Sequence, residues 1–214
     1  MVKLTKTPLP AGVKITSDND YRSGMVFDTL VEDCHRKCYI CEDKPTNINV
    51  EHIIPHRSDA ALRYDWNNLF LACGHCNNIK GTSYDDVINP VLVDPEISIT
   101  LSVEISDDFI ERVNIMTSSK DSTTLKTMEL LGYVYNGGST SIKEIECANL
   151  RNEHLLPDIV RFMQYIRGYN DEPDLGYDKL IEKEINRSSK FAAFKRKIVR
   201  DNPQLSAMLA DALV

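Results

Sequence analysis

The sequence predicts an α+β fold: a small cysteine-framed module of short strands and turns, followed by a mainly α-helical C-terminal half. Two C-x-x-C pairs, Cys38 with Cys41 and Cys73 with Cys76, bracket a stretch containing the β-branched residues Ile48, Val50, Ile53 and Ile54. Alternating Ile97, Ile99, Leu101, Val103 and Ile105 read as one half-buried strand. Beyond Ser122, apolar residues return at helical spacing. A chain of 214 residues can bury one good-sized core, or one core with a small module attached.

Taken in order, residues 1–20 predict a loose N-terminal arm, because periodic apolar positions are sparse and Pro8, Pro10 and Gly12 break any helix. Residues 21–95 form the module. Val26, Leu30, Val31 and Cys34 place a helix over Tyr21 to Lys37, which delivers the chain to Cys38. A short β-hairpin is expected around Ile48 to Ile54, ended by Pro55, and Asp65 to Leu71 is expected as a short turn or helix carrying Trp66. Residues 96–214 make the mainly helical region, entered through the turn-rich Asn89, Pro90, Asp94 and Pro95. Helices are expected from Ser122 to about Gly132, from Ser141 to Gly168, within the charged stretch Gly176 to Arg200, and after Pro203.

A thiolate pair two residues apart binds a tetrahedral ion from one tight turn, and two such turns close a site. Cys38, Cys41, Cys73 and Cys76 are therefore candidate ligands of a structural Zn2+, which has no open coordination position and supplies folding energy rather than chemistry. His75 could substitute for a cysteine but is expected at the surface. Cys34 and Cys147 lack partners at metal spacing and are expected as buried free thiols.

No stretch resembles a signal peptide or a membrane span, and the paired cysteines suit a reducing compartment, so the expectation is a cytoplasmic protein without a membrane partner. The formal net charge of −7 argues against a free-standing nucleic-acid binder. It leaves room for a nuclease, since metal ions, a local patch or a basic partner can attract phosphate. The cations from Lys179 to Arg200 are either a solvated helix face or such a patch.

Between the knuckles lie Val50-Glu51-His52-Ile53-Ile54-Pro55 and Trp66-Asn67-Asn68-Leu69, followed by Cys73-Gly74-His75-Cys76-Asn77-Asn78-Ile79-Lys80-Gly81. Each residue alone has an ordinary explanation as a solvated charge or a turn residue. Together, in this order, they resemble the signature of the HNH nuclease family in its zinc-knuckle frame. The resemblance implies a ββα-metal fold with His52 as general base. It also implies Glu51 and Asn77 as oxygen ligands of a catalytic Mg2+ or Mn2+, and Asn68 as the group holding hairpin to helix. Many relatives carry Asp or His before the catalytic histidine and His at the third position. Glu51 and Asn77 here shift the expected metal toward Mg2+. Lys80, Arg57 and His56 are weaker candidates for phosphate contact.

The wider layout is similar to the nuclease subunit of Septu-type antiphage systems and to a related retron effector. That likeness implies an SMC/ABC-like ATPase partner, a reverse transcriptase with its RNA-DNA product in the retron case, a nucleic-acid substrate, and docking through the helical region. Leu155, Leu156, Ile159, Phe162 and Ile166 are candidate docking or core residues. Two other functions compete: a free-standing restriction-like or homing-type HNH endonuclease, and a non-catalytic zinc-knuckle module that binds nucleic acid. Autonomous, sequence-selective cutting would favour the first; loss of Glu51, His52 or Asn77 would have favoured the second.

Overall fold

The computed structural model describes residues 1–137 and 141–213. The first half runs α1 (Asp18–Arg22), α2 (Gly24–Asp33), β1 (Ile48–His52), α3 (Ala60–Arg63), β2 (Leu69–Cys73) and α4 (Gly74–Lys80). The second runs α5 (Pro95–Ser98), β3 (Thr100–Ser106), β4 (Phe109–Met116), α6 (Ser122–Asn136), α7 (Ser141–Asn149), α8 (Leu156–Asp171), α9 (Tyr177–Ile185), α10 (Ala192–Asp201) and α11 (Pro203–Met208). A π-helical turn, Leu150–Leu155, joins α7 to α8. No helix among the described residues is long and apolar enough to cross a membrane.

The α+β class holds, with local differences. The hairpin is not confined to residues 48–54: β1 pairs antiparallel with β2, from Ile48 opposite Cys73 to His52 opposite Leu69. Leu69, Phe70, Leu71 and Ala72 are all buried, so β2 is a core strand without the alternation that marks a half-buried one. The segment 97–105 holds a capped turn of helix before β3, with Asp94 as N-cap accepting from Glu96 N and Pro95 at the first position. β3 then pairs with β4, a strand the periodicity hides because a register shift at Glu104/Ile105 places buried Ile110 and Val113 three residues apart. The helix expected to stop at Gly132 continues to Asn136, since burial of Leu130, Leu131, Val134 and Tyr135 outweighs a glycine cost of about 1 kcal/mol.

The arm is not loose. Met1, Val2 and Leu4 are buried, Leu4 N donates to Pro90 O at 2.9 Å, and Thr7 donates from N and Oγ1 to Asp33 at 2.8 Å. Lys6 donates to Leu69 O at 2.7 Å with its ammonium 3.8 Å from the centre of the Trp66 ring. Proline and glycine exclude helix here but not extended packing.

One main core combines the arm, α2, β2, α6, Leu155 and Ile159, and the Phe191 to Phe194 segment, so it crosses the expected boundary at 95/96. A smaller core gathers Phe162, Ile166, Ile181, Ile185, Val199, Leu205 and Leu209. Leu155, Ile159, Phe162 and Ile166 are thus consumed internally, and Leu156 packs partly on the main core.

Most cations of the 179–200 segment, all but Lys179 and Lys183, are paired within the molecule as well. Arg187 pairs with Asp94, Lys190 with Asp43, Lys195 with Asp158 and Glu184, Arg196 and Arg200 with Glu96, and Lys197 with Asp201. Lys195 is fully buried between its two carboxylates. Lys195→Met should therefore lower unfolding free energy by about 3–5 kcal/mol, because it strands buried negative charge. Denaturant melts of the variant and the parent check this; equal midpoints would contradict the pairing.

Candidate active site beside a four-cysteine cluster

Cys38 and Cys41 sit in a tight turn after α2, closed by Cys38 N donating to Asp43 O and Glu42 N donating to Cys38 O, each at 2.9 Å. Cys73 ends β2 and caps α4, its sulfur accepting from Cys76 N. All four side chains are buried, and their sulfurs lie within 4.8 Å of one another, Cys41 and Cys73 being 3.9 Å apart. A tetrahedral zinc with bonds of about 2.3 Å needs sulfurs roughly 3.8 Å apart, so this arrangement could bind zinc.

The remaining thiols and His75 lie outside that cluster. Burial pushes the Cys34 thiol up to about 11, which keeps it protonated and inert. His75 is neither ligand nor surface residue: Nε2 lies 2.9 Å from Val134 O and Nδ1 3.1 Å from Glu146. Burial lowers its pKa, but the Cys147 sulfur, that carbonyl and that carboxylate more than offset it and hold it at about 9.

His52, the last residue of β1, is half-buried, with Nε2 2.9 Å from Arg63 O. A carbonyl only accepts, so Nε2 carries the proton and Nδ1 keeps its lone pair in the neutral ring. Tyr21 meets the ring edge-on at 5.7 Å between centres, and His56 lies at 4.8 Å. Burial lowers the His52 pKa below 6.5, the Arg63 carbonyl opposing and His56 adding to the effect. Arg63 is itself held by two bonds to Asp18, at 2.8 and 2.6 Å. Those bonds, with one from Tyr21, bring the Asp18 carboxyl down to about 2. No motif points to Tyr21, Asp18 or Arg63; only the folded loop brings them to His52.

Asn68 is buried and closes that loop. Its Oδ1 accepts from Ile54 N at 2.8 Å, and its Nδ2 donates to Ile54 O at 2.9 Å and Leu62 O at 2.8 Å. His56 Nδ1 accepts from Ser58 N at 3.1 Å. Arg57 is not a free phosphate contact: it bonds Thr82 O at 3.2 Å and Asp85 at 2.8 Å, fastening the loop.

Lys80 is fully buried and therefore not a phosphate contact. Its ammonium lies 2.7 Å from Glu51 Oε1 and donates to His52 O at 2.9 Å. Strand alternation explains this, since Glu51 faces inward where its neighbours Val50 and His52 are half-buried on the other face. Burial raises the Glu51 pKa even against the Lys80 charge. Asn77, on α4, lines a cavity of about 460 Å³ that opens beside β1. Glu51 and Asn77 offer hard oxygens that suit a divalent cation, with Glu51 already engaging one positive charge. The four cysteines are the one group of three or more His, Cys, Asp or Glu placed to share a metal among the described residues.

Residues 32–83, which hold the cysteine frame and the His52 loop, match the model of the family described as HNH endonuclease. The chain is also 28% identical over 109 residues to Septu protein PtuB of Bacillus thuringiensis, an alignment covering 48% of this chain and 38% of that protein. It therefore spans well under half the length of that relative. No solved structure matches the chain.

The purified protein should hold close to one zinc per chain, and Cys73→Ser should lose both the ion and cooperative melting, because metal binding here is folding free energy. Metal analysis alongside calorimetry checks this. A zinc-free variant that melts like the parent would remove the cluster from the account.

Proposed function

We propose that the chain is a metal-dependent endonuclease that hydrolyses nucleic-acid phosphodiester bonds, serving as the effector of an antiphage defence complex. The observation that carries this reading is His52: its Nε2 faces the Arg63 carbonyl, its Nδ1 is left to accept a proton, and it lies within the HNH match.

In this reading neutral His52 takes a proton from the attacking water at Nδ1. Asn68 keeps the loop closed so that the Arg63 carbonyl stays under Nε2, and Asp18 with Tyr21 holds Arg63 in turn. Glu51 and Asn77 would hold Mg2+ or Mn2+, which would supply charge stabilisation to the phosphate and leaving oxygen. Lys80 fixes Glu51 and the end of β1.

An SMC/ABC-like ATPase is the proposed gate, joined by a reverse transcriptase and its RNA-DNA product if the system is a retron. Support comes from the PtuB likeness and from the net charge of −7, which leaves non-specific attraction to phosphate weak in the isolated chain. The helical half would offer its surface to that partner, not Leu155 or Phe162, which lie in the cores. Co-expression with the neighbouring gene should yield a co-eluting complex. Elution as a lone monomer with full activity at physiological salt would favour a free-standing enzyme.

His52→Ala should lower cleavage about a hundredfold or more with zinc content and melting unchanged, as loss of a general base predicts. The base works only unprotonated and its pKa lies below 6.5, so the rate should rise with pH through an acid limb centred below 6.5 and then level. Cleavage by the variant at the parental rate would refute the assignment.

A further inference from the structure

Two cavities run side by side along the half-buried face of β1 and share Ile48. The first, about 460 Å³, is lined by Arg22, Phe27, Ile48, Asn49, Val50 and Asn77. The second, about 420 Å³, adds Arg36, Lys44, Pro45 and Thr46 with Val31 and Leu71. No carboxylate lines either one. Asp28 and Glu32 fall one position further round α2 than Phe27 and Val31.

The cations here differ from the paired ones between Arg187 and Arg200. Among the described residues neither Arg36 nor Lys44 has an ion-pair partner, and Arg22 is largely exposed, 3.3 Å from Asp18 and 5.7 Å from the centre of the Tyr21 ring. His35 and Arg36 hold positive φ of 54° and 57°, a conformation costly for residues with side chains, which carries the chain from α2 toward the first knuckle. Partial burial and then the nearby Lys37, Arg36 and Lys190 charges lower the Lys44 pKa against an opposing Glu184, Lys37 and Lys190 being themselves paired with Glu42 and Asp43.

We propose that Arg22, Arg36 and Lys44 form a phosphate track along β1 that leads the sugar-phosphate backbone of a nucleic acid to His52 and Asn77. The proposal rests on the nuclease reading, since it places the substrate of that site. Strand rise is about 3.3 Å per residue, so Ile48 to His52 covers about 13 Å, room for a short run of nucleotides. Phe27, Val31, Ile48 and Val50 give the track an apolar floor, and Phe27 offers a ring on which a base can stack.

Fluorescence anisotropy with labelled single-stranded DNA, double-stranded DNA and RNA of one sequence tests this, using the full chain at low ionic strength without added divalent metal. Because nothing is cleaved under these conditions, the result is independent of whether His52 acts as a base. Arg36→Glu with Lys44→Glu should weaken binding about tenfold or more and reduce the slope of log affinity against log salt by about 1.4–1.8, as two lost phosphate contacts require. Lys179→Glu with Lys183→Glu, on α9, should change neither. If the charge reversal unfolds the chain, shown by zinc loss or a lower melting point, Arg36→Gln and Lys44→Gln should each reduce the slope by about half as much. The nucleic acid bound tightest by the parent identifies the substrate as DNA or RNA. Unchanged affinity and slope in the folded variants, or no binding of any of the three by the parent, would overturn the track.

Discussion

Four cysteine sulfurs converge to within 4.8 Å, and much of the module depends on that convergence. They come from three local structures: the turn after α2, the end of β2, and the first turn of α4. Fixing β2 against α4 also fixes β1, which pairs with β2, and so brings Glu51 and the His52 carbonyl to Lys80. The same knuckle reaches further through buried Glu42. Its carboxylate meets the Met1 ammonium at 2.8 Å, Lys37 at 3.4 Å and Ala193 N at 3.3 Å, while its carbonyl accepts from Phe191 N at 3.3 Å. Burial would raise the Glu42 pKa, but the Met1 ammonium and Lys37 hold it at about 2, so it stays ionised and ties Met1 and the start of α10 to the frame.

Charge placement follows a related logic. An acidic chain places its densest basic stretch inside the helical half, where Arg196 reaches Glu96 at 2.8 Å and the carbonyls of Ala212 and Leu213 at 2.9 and 2.6 Å. Buried pairs of this kind contribute little net stability, because desolvation offsets the Coulombic gain, but they penalise any packing that separates the partners. Arg36 and Lys44, beside the hairpin, have no ion-pair partner among the described residues and line one cavity together.

The cysteine cluster was legible because ligand type and spacing constrain it jointly, and its four side chains do converge. Asn68 was expected to hold hairpin to helix, whereas its side-chain bonds run to Ile54 and Leu62 of the loop. Lys80 was misread, since a motif records which residue follows the knuckle and not which way it turns; burial on α4 decided that. Tyr21, Asp18 and Arg63 were invisible, as their link to His52 joins α1, α3 and β1 across long sequence separations. β4 escaped because a bulge breaks the period of two, and the Gly132 stop failed because tertiary burial outweighed propensity.

The central claim concerns one hydrogen atom. If His52 is the base, the Arg63 carbonyl must hold its proton on Nε2, because that alone leaves the Nδ1 lone pair for water. Nitrogen-15 spectra of the labelled protein, taken above the His52 titration, read the tautomer directly from the two ring-nitrogen shifts. The account predicts a protonated Nε2 and a bare Nδ1, with Asp18→Asn weakening that preference through Arg63. A proton found on Nδ1 in the folded parent chain would contradict it.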